Sequence, residues 1–196
     1  ALGAVWTVMD AAAPKQPLFA VPVRSTNTTS EALKDLVLLG QVAEKLRLAR
    51  EDGTVQTVLS LTRADARARA AELLTIEFVA QSSSKVASAI ETLSADVSHG
   101  AVAPDAPWRP LLLVGKVLSL RAEALMVSEG PDAAWRQVQQ GFEYAEVLYR
   151  SAGTLAQFAI ARSIQGYFAG VACSASLEVI ATRDTVARIE GPGTAE

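Results

Sequence analysis

Most of the ingredients of common catalytic sites are missing from this sequence. Its 196 residues hold one cysteine and one histidine. A lone cysteine excludes a disulfide within the chain, and a thiol nucleophile needs a base beside it. Cys173 lies among small apolar residues (AGVACSAS) and reads as a buried structural thiol; His99 (DVSHG) reads as a surface residue at a helix end. There is no histidine pair, no CxxC and no Glu-x-x-His, so no metal ligands are indicated. A carboxylate-only centre would need several inward glutamates. Glu143 and Glu146 share a helix face, but as the wet side of an amphipathic helix, and Glu72 and Glu77 do not share one. Neither phosphate-binding glycine motif occurs. The serines at 82–84 have no base nearby in sequence. No catalytic residue, metal ligand or cofactor is assigned.

An excess of one charge is missing too. Eighteen basic and twenty-one acidic residues give a net charge of −3, which argues against a nucleic-acid partner because that needs a concentrated cationic face. The densest basic stretch, Arg63, Arg67 and Arg69, is interleaved with Asp65 and Glu72 and reads as a solvated helix face. No stretch reads as membrane-spanning: residues 158–181 are the most apolar, yet they carry Arg162, Gln165 and Glu178.

What is present is apolar and rich in alanine. Half the residues are hydrophobic and only 6% are aromatic, a composition suited to closely packed helices. Residues 1–29 carry Pro14, Pro17 and Pro22 and read as an extended arm. The Asn27-Thr28-Thr29 sequon is taken as chance. Thr28 with Glu31 has capping-box spacing, with Ser30 as an alternative cap for a helix ended by Asp52-Gly53. Residues 54–61 read as a helical turn or short helix. Thr62 and Asp65 start a long helical stretch reaching about residue 97, either one helix or two collinear ones with a break at the serine run. Gly100, Pro104 and Pro107 mark a loop. A helix then runs from Trp108 to about Ser128, and Glu129-Gly130-Pro131-Asp132 stops and restarts the chain. In the next helix, at 132–150, Trp135, Val138, Phe142, Ala145 and Tyr149 form a stripe that predicts its dry face. Gly153 is placed in the left-handed conformation past that helix, and Thr154 with Gln157 caps the last one. That final helix, rich in small residues and carrying Gly166 and Gly170 at close-packing spacing, is expected to be central. Residues 191–196 read as a loose tail. The fold expected is all-α: a single helical domain over 30–190, arranged as a helical bundle or short α-hairpin stack.

Gly115 and Leu118, followed by Ala134, Val138 and Ala145, resemble a tetratricopeptide unit over about 35 residues. The resemblance implies an α-hairpin stack that binds proteins, although the Trp/Leu/Gly/Tyr spacing is not met and no second copy follows at a constant period. The segment Arg150-Ser151-Ala152-Gly153-Thr154-Leu155 and its alanine-rich helix are similar to uncharacterised bacterial helical proteins, often exported or membrane-tethered; that similarity implies no activity.

These readings favour a non-catalytic bacterial scaffold or interaction subunit with a protein partner. Trp6, Trp108 and Arg109 are candidate partner-binding residues, Trp108 being held between prolines. The alternative is a ligand- or cofactor-binding helical domain with a pocket beside Arg162 and Gln165. Residues 1–9 are apolar but too few to span a bilayer. Membrane association would come only through an anchor preceding Ala1, and an exported or tethered location is preferred to a cytoplasmic one.

Overall fold

The computed structural model describes residues 30–49, 53–98 and 107–190, without the side chains of 97, 98 and 181–190. The arm at 1–29 with Trp6 and the Thr28 cap, the loop with His99, and the tail at 191–196 lie outside the described residues. The described chain is a helical bundle. Its elements are α1 (Glu31–Lys45), β1 (Arg47–Ala49), β2 (Val55–Thr57), a 3₁₀ turn (Val58–Ser60), α2 (Arg63–Ala68), α3 (Ala70–Thr75), α4 (Glu77–Ser98), α5 (Trp108–Ser128), α6 (Pro131–Ser151) and α7 (Leu155–Glu190).

The central helix is α5, not α7. Fourteen of its 21 residues are buried, so it is apolar on nearly every side. One face joins Leu111, Val114, Leu118, Ala122 and Met126 to the main core with Leu33, Leu36, Tyr144, Leu148, Ile164 and Phe168. Val117, Leu120 and Ala124 face a second core built on Ala43, Leu48, Val58, Leu61, Ala66 and Leu73. By contrast the described side chains of α7 bury one stripe, Ala161, Ile164, Phe168, Val171 and Ala175, and leave Leu177 and Ile180 more than half exposed. Its small residues mark an outer surface: Cys173 is exposed rather than buried.

Of residues 54–61, expected as a helical turn or short helix, 58–60 form the 3₁₀ turn, but 55–57 are a strand. Arg47, Leu48 and Ala49 pair antiparallel with Thr57, Gln56 and Val55 in a short hairpin, and Gly53 adopts φ +78° in its connection, a conformation glycine reaches without strain. Leu48 and Val58 fill the second core. The ladder to β1, anchored on the core by Leu48, holds the β-forming residues 55–57 extended. The expected long helix after Thr62 is three helices. It does open on a capping box, with Thr62 and Asp65 satisfying each other's backbone N–H groups. The breaks fall at Arg69 and Ile76, whereas the serine run is continuous helix. Ser82 and Ser84 hydroxyls donate back to the carbonyls of Val79 and Gln81, three residues earlier.

The helix boundaries around α5 and α6 match the sequence reading. Gly130, at φ +92°, and Pro131 at the first helical turn make the restart. Gln157 accepts from the N–H groups of Gly153 and Thr154, while the Gln157 N–H donates to the Thr154 hydroxyl. Gly153 itself is not left-handed, because α6 ends through an extended Ala152 instead.

Tyr144 is fully buried, and its hydroxyl donates to the Leu111 carbonyl at 3.0 Å. Burial pushes its pKa well above the ordinary value. The folded state therefore keeps the phenol neutral where the unfolded chain ionises it, so the stabilisation is complete below about pH 10 and declines above it. Tyr144→Phe is expected to lower stability by about 1 kcal/mol at neutral pH, through loss of the hydrogen bond from its hydroxyl to the Leu111 carbonyl. It should also flatten the loss of stability between pH 10 and 12. Denaturant titrations at several pH values test this, and an unchanged alkaline slope would show that Tyr144 does not control it.

Candidate interaction surface

The residues singled out in the sequence are scattered. Trp108 is 6% exposed and belongs to the main core, so it presents no face to a partner. Proline at 107 serves as the N-cap of α5 and turns the indole inward at the first helical position. Arg109, beside it, is exposed and pairs with Glu44 of α1 at 2.9 Å. Arg162 and Gln165 hydrogen-bond each other at 2.7 Å on the outside of α7. They are not brought together with Trp108 or Arg109.

The basic stretch is not merely a solvated face. Glu123 of α5 has no exposed side-chain surface, and it holds Arg63 and Arg67 of α2, the latter at 2.6 Å. Arg67 also pairs with Glu178 of α7 at 2.7 Å. Arg63 donates to the Gly170 carbonyl at 2.7 Å and to the Ser174 hydroxyl. One buried carboxylate thus ties α2 to α5, and its two arginines reach on to α7. Burial works against the charge of Arg67, yet its bonds and attraction to Glu123 and Glu178 prevail and raise its pKa. Nearby, burial and the charge of Arg63 lower the pKa of Lys116, whose ammonium lies 5.5 Å over the Tyr167 ring. The signal in the sequence was an acid inside an apolar helix. A buried acid requires cationic partners, and the arginines of α2 are one turn apart. Both carboxylate oxygens of Glu123 are paired, although one terminal nitrogen of Arg67 is buried without a partner, and links to three helices suit a fastening better than a reactive centre.

Another arrangement faces outward. Trp135, Phe142 and Tyr149 of α6 are 43%, 36% and 43% exposed. The expected dry stripe is therefore split: Val138 and Ala145 are buried, and the aromatics stand at the boundary. Close packing explains this. A Cβ on Gly141 would fall 2.2 Å from the Phe168 ring, so α6 meets α7 through its small residues and turns the large ones outward. Phe142 and Tyr149 line the seam with α7, their rings 6.3 Å from Phe168 and 5.0 Å from Phe158. Leu155, one turn before Phe158, is 71% exposed and extends the apolar face. Arg162 follows Phe158 by one turn and Gln165 by two.

Comparison with protein families, curated proteins and solved structures finds no match. The arrangement of side chains is what remains to argue from. Among the described residues no group of three acidic, histidine or cysteine side chains could hold a metal ion. No helix among them is long and apolar enough to cross a membrane. Clefts are also found among the described residues. One, about 660 Å³, lies between α1 and α4 with Leu36, Leu39, Val42 and Phe78 in its lining. Another, about 550 Å³, lies between α4, α5 and α6 and is markedly more polar.

Proposed function

We propose that this chain is a non-catalytic interaction domain that docks an amphipathic helix of a partner protein along the seam of α6 and α7. The observation that carries the reading is the spacing of Trp135, Phe142 and Tyr149. They recur every seven residues on one helix, each between a third and a half exposed. Two ring contacts with α7 hold Phe142 and Tyr149 in place, so presenting them costs little side-chain entropy on binding. A seven-residue repeat of large apolar groups matches a helix laid nearly parallel to α6. The stripe is about 21 Å long at 1.5 Å per residue, or two heptads of such a partner. Glu143, Glu146, Arg150 and Arg162 flank it with both signs of charge, which suits a partner carrying mixed charges beside its apolar stripe.

The test places a photoreactive phenylalanine analogue at position 142 in the native host and maps the crosslinks. The expected product joins this chain to a second protein through a segment with apolar residues at three- and four-residue spacing. Replacing Trp135, Phe142 and Tyr149 with serine should abolish that product while leaving the circular-dichroism melt within a few degrees. A crosslink to another copy of this chain, or one that survives the triple replacement, would overturn the reading.

A further inference from the structure

The polar cleft holds charges that the fold does not use. It is walled by Ser83 and Ser84 of α4, by Arg121 of α5 and Glu129 at its C-cap, and by Arg136 and Gln140 of α6, over a buried Gln137. One guanidinium terminal nitrogen of Arg121 donates to the Gln137 carbonyl oxygen. The Gln137 amide donates on to Gln140 at 2.7 Å, and Gln140 accepts from the Ser83 hydroxyl at 2.6 Å. This chain of bonds runs from α5 through α6 to α4 and fixes the amides and the arginine fork. Yet among the described residues no carboxylate lies within ion-pairing distance of Arg121, and its buried Nε has no hydrogen-bond partner. Arg136, exposed at the rim, is likewise in no ion pair with any described residue.

Contrast with Glu123 shows what is unusual here. Two arginines on α2 share one buried carboxylate, whereas the half-buried arginine two residues earlier on α5 has only a neutral amide. A guanidinium withdrawn from water without a counter-ion is costly. Burial lowers the pKa of Arg121, with only the more distant charge of Glu129 opposing it. An anion would supply the missing counter-charge, and a planar fork with a second arginine across the cleft suits a carboxylate group.

We propose that the cleft between α4, α5 and α6 binds a small organic carboxylate, with Arg121 as its anchoring cation, Arg136 closing over it from the rim, and the Gln137–Gln140–Ser83 chain setting the orientation of Arg121. The volume of about 550 Å³ exceeds what one carboxylate group fills, so the ligand carries further groups. Glu129 sets a limit on its charge: a carboxylate at the rim repels highly charged anions and tolerates a compact acid, or one that also bears an ammonium group.

Titration calorimetry with succinate, glutamate and inorganic phosphate tests the site on the full chain. Succinate or glutamate is expected to bind saturably and more tightly than phosphate. Arg121→Lys keeps the charge and loses the fork, and should weaken binding about tenfold or more; Arg136→Ala should weaken it several-fold. Glu129→Gln should tighten binding, a gain that damage to the fold would not produce. Lys34→Ala, exposed on α1, which contributes no residue to the cleft, is the control and should leave binding unchanged. No saturable binding of either acid up to about 10 mM would overturn the proposal, as would binding indifferent to both Arg121→Lys and Glu129→Gln. The outcome is independent of the aromatic stripe, which the serine replacements probe separately.

Discussion

Replacing Glu123 with alanine is expected to destabilise the protein by about 3 kcal/mol, more than any other single change among its charged residues. The carboxylate is fully buried and receives both Arg63 and Arg67. Removing it leaves two guanidiniums gathered around an empty site, and only Glu178 remains to Arg67. The arginine side chains are 44% and 30% exposed, so water compensates them in part, and the expected cost lies at the lower end of the range for broken buried pairs. For a chain of this length that corresponds to a melting-point fall of roughly 6–12 °C. Arg63→Ala should cost about 1 kcal/mol, because it removes a half-exposed partner and leaves the Arg67 bond intact. Replacing Arg63 by Met and both Arg67 and Glu123 by Leu should recover most of the stability lost by Glu123→Ala, since the desolvation of all three charges disappears together. Thermal unfolding followed at 222 nm distinguishes these cases. A Glu123→Ala protein melting within 2 °C of the parent would mean that the carboxylate does not fasten α2 to the bundle.

That fastening also marks where the sequence could be read and where it could not. Helix edges follow from local chemistry. Proline at 107, the Gly130-Pro131 pair and the Thr154–Gln157 box act through backbone groups within a few residues, so α5, α6 and the start of α7 were legible. Burial is a property of neighbours, and there periodicity misled in particular ways. The stripe through Trp135, Phe142 and Tyr149 obeys the helical period, but the buried face is rotated from it toward Gly141, Tyr144 and Leu148. Helices that approach this closely need small residues at the contact and push large ones to the edge. The stripe proposed to dock a partner is thus visible in the sequence as a pattern, but reads there as core. Trp108 is buried in the main core, while α7, with no described residue packed on its outer face, leaves Cys173 exposed. The ion cluster spans residues 63 to 178, and no local pattern pairs positions so far apart. Its one sequence clue, an acid within the apolar α5, would have required knowing that α5 is enclosed on both sides.

Opposite outcomes are expected from one substitution at two glycines. In Gly40→Ala the new Cβ would lie 2.1 Å from the Pro110 carbonyl oxygen and 2.6 Å from its Cα. The obstacle is backbone, which no rotamer change relieves. The α1 and α5 axes must separate, which loosens the packing of Leu36, Leu39 and Ala43 around the crossing. The expected loss is about 3 kcal/mol even after the gain in helix propensity from alanine. Gly166 lies mid-helix on the exposed side of α7 with nothing within 4 Å of a Cβ, so Gly166→Ala is expected to stabilise by about 0.5–1 kcal/mol through the same propensity term alone. The four-residue spacing of Gly166 and Gly170 therefore does not mark a close crossing of α7. Near Gly170 a Cβ would meet the Arg63 guanidinium at 2.8 Å, the far end of a flexible side chain, while the unyielding contact is at Gly40. Urea denaturation of both variants decides the matter. Equal effects at the two positions would show that α1 does not cross α5 at Gly40, and would leave helix propensity as the only difference alanine makes.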